Sequence, residues 1–237
     1  MKPNELNNNS KKEQIAKMFD DISDKYDLLN GVLSFGIHKY WRRRLVKDIK
    51  KLQPDNILDV ATGTGDLALA LTKTKATNII GVDISEKMLE IGKQKIAGVQ
   101  NSNVQMMKGD GEDIPFEDNL FDVVTVAFGI RNFENRVQGL KEMYRVLKTN
   151  GTLVILEFSM PKNPTISFFY RLYTFRLLPL VGKFISGNNY AYTYLPQSVD
   201  EFPSSMEFRQ ELRTVGFQNV NVSTLTFGVA NIYKAQK

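Results

Sequence analysis

Residues 57–72 read ILDVATGTGDLALALT, and this stretch decides the fold. The apolar run 57–60 is typical of a buried strand, and residues 66–72 have the pattern of a short helix. Gly63 and Gly65 lie between them, where glycine lets the backbone approach a ligand closely and leaves helix N–H groups facing it. The stretch therefore predicts a strand, a ligand-binding loop and a helix in succession.

The same alternation of short apolar runs and helical stretches continues along the chain. Further strands are predicted at 78–83, 104–107, 121–126 and 152–156, helices at 85–94 and 137–148, and a final pair of strands at 220–227 and 229–234. The third, fourth and fifth strands are apolar enough to be buried on both faces, and Asn150-Gly151 is expected to end the second of these helices. The alternation predicts an α/β fold: a Rossmann-like, seven-stranded, mostly parallel sheet with helices on both faces and an antiparallel C-terminal hairpin.

We expect a single domain, 1–237, with additions before the first strand and after the fifth. Its parts are a flexible tail (1–12), an N-terminal helical cap (13–52), a cofactor-binding core (53–157), an aromatic insertion facing substrate or membrane (158–199), and a C-terminal helix and hairpin (200–237). The insertion contains no Asp or Glu, and its basic residues are Lys162, Arg171, Arg176 and Lys183. Such a segment suits an isoprenoid pocket, anionic lipid headgroups, or a plain cover over the sheet edge.

The composition of the 237 residues excludes several kinds of chemistry. Cysteine is absent and His38 is the only histidine, so we expect no disulfide, no thiolate nucleophile and no metal site. The net charge of +5 favours no partner by itself. No uncharged apolar stretch reaches about 18 residues, which predicts a cytoplasmic protein without a membrane-spanning helix.

The acidic residues around the glycine loop indicate which cofactor it binds. Residues 63–68 also fit the dinucleotide pattern G-x-G-x-x-A, but Asp59 and Asp66 would meet a pyrophosphate with negative charge. The sulfonium and ammonium groups of S-adenosylmethionine suit such neighbours. The predicted cofactor-binding residues are Asp59, Thr62, Gly63, Gly65, Asp83, Asp110 and Gly111. The alternative is a tight turn with helix-capping acids, and Asp83 as a ribose ligand would suit NAD equally well.

Two longer signatures carry a resemblance to a known family. One is Tyr26-Asp27-x-x-Asn30-x-x-Leu33-Ser34-x-x-x-His38-x-x-Trp41, and the other is Arg145-Val146-Leu147-Lys148-x-x-Gly151-x-Leu153-x-x-Leu156-Glu157-x-Ser159. With the glycine loop, Asp83 and Gly109-Asp110, they resemble the menaquinone/ubiquinone C-methyltransferase family within the class I methyltransferases. The resemblance runs from about residue 14 to the C-terminus. The sequence departs from the family pattern at Leu29, Thr149-Asn150 and Ala127. Many members have serine at the position of Ala127, and the cofactor contact that the serine hydroxyl could make is not expected here.

The resemblance implies that the single domain is a methyltransferase domain, which transfers methyl from S-adenosylmethionine to a quinol ring carbon. It favours demethylmenaquinol, with the benzoquinol of ubiquinone biosynthesis as the alternative. Loss of a phenolic proton makes the neighbouring carbon nucleophilic, so the candidate catalytic residues are those able to assist that step. Arg131 would stabilise the phenolate, Asn132 would hold a water, Tyr26 would cover the cofactor or substrate, and His38 would act as a base. Arg131 and Asn132 follow the fourth strand, at the edge where open α/β sheets bind ligands.

The expected partners follow from this substrate. A lipophilic quinol places the enzyme at the inner membrane surface as a peripheral protein, and the oligomeric state stays open between a monomer and a homodimer. A nucleic-acid methyltransferase is a second interpretation, because the positive charge and the aromatic insertion could bind a flipped base. The absence of a dense Lys/Arg stripe argues against it. A non-catalytic protein that only binds S-adenosylmethionine is a third interpretation.

Overall fold

The computed structural model describes residues 9–100, 102–177 and 190–237. Their centre is one seven-stranded sheet with the strand order β3-β2-β1-β4-β5-β7-β6. The strands are β1 (Asn56–Val60), β2 (Asn78–Asp83), β3 (Val104–Lys108), β4 (Phe121–Ala127), β5 (Leu147–Phe158), β6 (Gln218–Leu225) and β7 (Ala230–Gln236). The first five are parallel, and β7 runs antiparallel to both β5 and β6. The predicted fold class is confirmed, including the C-terminal hairpin.

Eight α-helices surround the sheet in the described part of the chain. They are α1 (Lys11–Leu33), α2 (Ile37–Lys50), α3 (Asp66–Leu71), α4 (Glu86–Ala97), α5 (Arg136–Val146), α6 (Pro164–Leu172), α7 (Tyr190–Asp200) and α8 (Ser205–Val215). A π-helical turn, Tyr173–Leu177, follows α6. None of the described helices is both long enough and apolar enough to cross a membrane.

Each face of the sheet is covered by its own apolar cluster. Helices α5 and α8 pack on one face through side chains such as Leu140, Met143 and Phe208. Helices α2 and α3 pack on the other through Trp41 and Leu67, among others. A third cluster joins α1, α4 and α7. Helix α1 thereby lies beside the carboxyl ends of the parallel strands rather than on either face.

The structure corrects three details of the predicted elements. β3 is the edge strand, and only Val104 and Met106 of its five residues are buried, so it is not covered on both faces. Helix α5 ends at Val146 rather than at the Asn150-Gly151 turn, which lies inside β5. Helix α1 begins at Lys11, earlier than the predicted cap, because Ser10 and Glu13 form a reciprocal capping box at its start.

Candidate active site

The glycine loop after β1 is held by the acid that ends β2. Gly63 adopts a φ of 57°, a conformation that glycine adopts without steric cost, and its N–H donates to Asp83 Oδ2 at 2.7 Å. Asp83 Oδ1 accepts from the Ser85 N–H at 2.9 Å. Burial raises the pKa of Asp83, and these backbone N–H groups oppose that shift. One carboxylate therefore connects the loop to the start of α4.

A cleft of about 70 Å³ opens at this edge of the sheet. Six predicted site residues line it: Tyr26, Gly63, Asp83, Asp110, Gly111 and Asn132. Gly111 allows a close approach there, because a Cβ on it would lie 2.4 Å from the Phe133 ring. The cleft is thus lined by acidic side chains and by Gly111, where the Phe133 ring leaves no space for a Cβ.

Asp59, Thr62 and Gly65 lie outside this cleft. Asp59 is buried; its Oδ2 accepts from the Thr62 hydroxyl at 2.7 Å, and its Oδ1 has no hydrogen-bond partner among the described residues. Burial raises the pKa of Asp59 to about 7. Gly65 precedes α3 and packs against the Met106 sulfur. Thr62 instead lines a larger adjoining cavity, and direct contact of these three residues with the cofactor stays a prediction.

Asp110 has a partner that the sequence analysis missed. Lys12, assigned to the flexible tail, lies in the first turn of α1 and pairs with Asp110 Oδ2, while Oδ1 accepts from the Glu112 N–H at 2.9 Å. The neighbouring Lys11 Nζ donates to the Phe133 carbonyl at 2.6 Å. Two lysines therefore attach the start of α1 across the cleft. The Lys11-Lys12-Glu13 run was the only signal, and such a run is shared with many solvated helix ends.

A larger cavity of about 340 Å³ adjoins the cleft. Residues that line both are Phe19, Tyr26, Ala61, Gly63, Ala127 and Phe128. Most of the larger cavity is apolar, with side chains from α1, α2, α7 and the end of α6. His38 and Arg131 are among its polar lining residues. A polar cleft and an apolar cavity thus share one wall.

Arg131 forms a buried ion pair with a residue that had no predicted role. Its Nη1 lies 2.9 Å from Glu157 Oε1, and the side chains are 7% and 0% exposed. Burial raises the pKa of Glu157, opposed by the Arg131 guanidinium. Nη1 also donates to the Phe128 carbonyl and Nε to Ser198 at 3.2 Å, whereas Nη2 has no partner among the described residues. These contacts hold the guanidinium in place through Nε and Nη1, and they leave Nη2 available to a ligand.

The tautomer of His38 follows from its hydrogen bonds. The Ser34 hydroxyl lies 2.6 Å from the Asn30 carbonyl, which can only accept, so its single proton points there. Ser34 Oγ must then accept from His38 Nδ1–H, which leaves the lone pair on Nε2. Burial, followed by the charge of Arg42, lowers the pKa of His38 and keeps the ring neutral. Ser34 was missed, although its spacing of four residues from His38 was a signal.

Tyr26 and Asn132 take positions at the junction of the two cavities. The Tyr26 ring meets Phe19 edge-on with centroids 5.9 Å apart, and burial raises the pKa of its phenol, which therefore stays protonated. Asn132 is buried, and its Oδ1 accepts from the Tyr194 hydroxyl at 3.3 Å. Asn132 faces the smaller cleft, whereas the adjacent Arg131 faces the larger cavity.

This fold and site define the class of S-adenosylmethionine-dependent methyltransferases. The antiparallel β7 between β5 and β6 departs from the dinucleotide-binding strand order, and the acids Asp83 and Asp110 suit a cationic, ribose-bearing ligand better than a pyrophosphate. The model of the ubiE/COQ5 methyltransferase family matches residues 7–237, and the chain belongs to that family.

Relatives and solved structures agree with this assignment. The chain is 49% identical over 230 residues to the ubiquinone/menaquinone biosynthesis C-methyltransferase UbiE of Geotalea daltonii, covering 96% of this chain and 97% of that one. It is 43% identical over 233 residues to the demethylmenaquinone methyltransferase of Bacteroides fragilis, covering 98% and 95%. A SAM-dependent methyltransferase from Thermotoga maritima, a possible histamine N-methyltransferase, shares the fold with a TM-score of 0.64 at 20% identity, covering 93% and 99%.

Proposed function

We propose that this enzyme transfers a methyl group from S-adenosylmethionine to a ring carbon of demethylmenaquinol. The observation that carries the proposal is the apolar cavity of about 340 Å³ that shares a wall with the cofactor cleft. Relatives named demethylmenaquinone methyltransferase, from Bacteroides fragilis and Staphylococcus aureus, support the naphthoquinol substrate. The relatives named for both quinones keep the ubiquinone benzoquinol as the second candidate.

In this proposal the carboxylates of the cleft bind the cofactor by accepting its hydrogen bonds. Asp83 accepts the ribose hydroxyls, since each carboxylate oxygen can accept more than the one N–H that it receives now. Asp110 and the Gly111 N–H face the adenine, and Lys12 orients the Asp110 carboxylate. Asp59 and Thr62 set the shape of the glycine loop. When bound, S-adenosylmethionine supplies an electrophilic methyl group.

His38 and Arg131 have different roles in deprotonation of the quinol: His38 is the base, and Arg131 stabilises the phenolate. His38 Nε2 carries the lone pair in the neutral ring, so it takes the phenolic proton. Arg131 offers Nη2 to the developing phenolate, and Glu157 holds the guanidinium in place. Asn132 positions a water at the cleft side. Tyr26, protonated and located in the shared wall, excludes bulk water from the junction.

The proposed parts of the single domain follow this division. The core 53–157 binds the cofactor, the helical cap 13–52 and the insertion 158–199 enclose the substrate, and the C-terminal part completes the sheet. Peripheral contact of the insertion with the inner membrane surface is also proposed. Arg171, however, pairs with Asp200 at 2.6 Å, so its charge is already balanced. Lys183 lies outside the described residues.

Thermal stabilisation tests the substrate class without turnover. With S-adenosylhomocysteine present, a demethylated naphthoquinone analogue should raise the melting temperature more than a benzoquinone analogue of equal tail length. A single-stranded oligonucleotide should leave it unchanged. Stabilisation by the oligonucleotide alone would replace the quinol proposal with a nucleic-acid methyltransferase.

A further inference from the structure

Two phenylalanines at the mouth of the large cavity are unusually exposed. Phe35 is 80% and Phe227 is 79% exposed, the highest values among the large apolar side chains of the described residues. Both have left-handed backbone, with φ of 49° and 55°. A bulky residue in this conformation is a strained exception, and such strain concentrates at functional positions. The fold therefore holds two aromatic side chains in water at a cost in backbone energy.

Phe35 lines the cavity, and Phe227 follows a residue that lines it. The ring centroid of Phe35 lies 6.0 Å from that of Tyr173, whose hydroxyl donates to the Leu33 carbonyl. Phe227 is in the β6–β7 turn, next to Thr226, which also lines the cavity. Trp41 of α2 donates to the Thr226 hydroxyl at 2.7 Å and fixes that turn against the helix. Two separate loops that contribute to the cavity lining thus each expose an aromatic side chain.

The exposed face of α2, beside these tips, is strongly basic. Five of its cations are exposed, and the four apart from Arg44 form no ion pair with a described residue: Lys39, Arg43, Lys47 and Lys50. The only acid of the helix, Asp48, is occupied by Arg44 and Lys51. A basic stripe, which the sequence analysis did not expect, therefore adjoins the mouth. Unpaired cations next to exposed aromatic rings match an anionic lipid surface, where each cation contributes at headgroup level and the rings enter the interface.

We propose that Phe35 and Phe227 insert into the bilayer, and that α2 binds anionic headgroups, so that the cavity mouth faces the membrane. This inference rests on the proposed function, because a quinol dissolved in the bilayer would enter the cavity from the membrane. It moves the principal contact from the insertion to the α1–α2 corner and the β6–β7 turn. The surface would hold the enzyme weakly and reversibly, because two rings and a few cations act without a lipid anchor.

Vesicle binding tests the aromatic tips directly. The variants Phe35→Asn and Phe227→Asn remove each ring, and asparagine tolerates left-handed backbone, so the melting temperature should stay equal or rise. With vesicles of equal parts phosphatidylcholine and phosphatidylglycerol, each variant should bind on the order of tenfold more weakly. Met206→Asn, which removes an apolar side chain that is 72% exposed on α8, is the matched control and should bind like wild type.

Paired charge reversals test the basic face. Lys39→Glu with Arg43→Glu should abolish the preference for phosphatidylglycerol over pure phosphatidylcholine vesicles. Lys141→Glu with Arg213→Glu makes the same change of charge on α5 and α8 and should preserve it. Wild-type binding should weaken as salt rises, because exposed charges are screened.

Three results would overturn the proposal: vesicle binding unchanged in both phenylalanine variants, equal losses in the two charge-reversed pairs, or tighter binding of an oligonucleotide than of the anionic vesicles. Vesicle binding needs neither substrate nor turnover. A wild-type protein that binds vesicles but methylates no quinol would defeat the proposed function alone.

Discussion

Replacing Asp59 with asparagine removes a charge that the fold buries beneath the glycine loop. The carboxyl lies in β1, its Oδ1 has no hydrogen-bond partner in the part of the chain that the structure describes, and burial raises its pKa from 3.8 to about 7. The folded protein therefore binds the proton more tightly than the unfolded chain does. Between about pH 4 and pH 7 the contribution of Asp59 to stability must fall as the pH rises, because its ionisation is easier in the unfolded state.

The size of this effect follows from the pKa difference. A rise of about three units corresponds to about 4 kcal/mol once the pH is well above 7. The Asp59→Asn variant has no such titration; its amide adds an unpaired N–H whose cost, about 1–3 kcal/mol, does not depend on pH. The stability difference between variant and wild type should therefore shift by about 4 kcal/mol in favour of the variant from pH 4 to pH 8. For a chain of this length that is about 10 °C in melting temperature.

Urea unfolding of cofactor-free protein at several pH values measures this slope. The variant and the wild type should diverge steadily across the interval, with the variant gaining at high pH. Asp122→Asn is a suitable comparison, because burial, which would raise the pKa of Asp122, is outweighed by its Lys148 and backbone contacts, and the pKa lies below 3.8. Its titration falls below the interval, so the Asp122→Asn variant and the wild type should give nearly parallel curves from about pH 5 to pH 8. Parallel curves for the Asp59→Asn variant and the wild type would mean that the Asp59 carboxyl ionises at an ordinary pH, and the reasoning about its burial would be wrong.

Three further predictions concern the site. Asp83→Ala should weaken S-adenosylmethionine binding at least tenfold in calorimetry, because hydrogen bonds to a charged acceptor contribute about 1.5–3 kcal/mol each; unchanged affinity would remove Asp83 from the cofactor site. The rise of kcat/KM with pH should follow the deprotonation of His38. Arg42→Gln removes a charge that lowers the pKa of His38, so this variant should move the rise to higher pH. An unchanged profile would indicate another base. Arg131→Ala should destabilise the fold by about 3–5 kcal/mol by leaving Glu157 without its partner, and Glu157→Gln in the same chain should recover part of the loss; simple additivity would contradict the ion pair.

Local features of the sequence predicted the parts of the site that neighbours along the chain create. The glycine loop needs only the turn from β1 to α3, and Asp83 needs only its place at the end of β2. The positions of both follow from the periodicity of apolar residues, which predicts each strand or helix separately. The edge position of β3 was not visible in this way, because Met106 and Met107 look alike in sequence although only Met106 is buried.

Contacts between distant segments were beyond that reasoning. Glu157 meets Arg131 because the carboxyl ends of β4 and β5 are neighbours in the sheet, and 26 residues separate the two in the chain. An acid directly after four buried apolar residues was a usable signal of a buried partner. Lys12 reaches Asp110 across 98 residues, and no local pattern distinguishes it from other lysines at the start of a helix.

The most direct test of the central claim is the position of the transferred methyl group. The purified enzyme is incubated with reduced demethylmenaquinol and S-adenosylmethionine carrying a carbon-13 methyl group, and the product is examined by NMR. The adjoining cleft and apolar cavity predict label on a ring carbon, with the product identified as menaquinol. Label on a quinol oxygen, or no transfer while the protein is folded and binds the cofactor, would contradict the account.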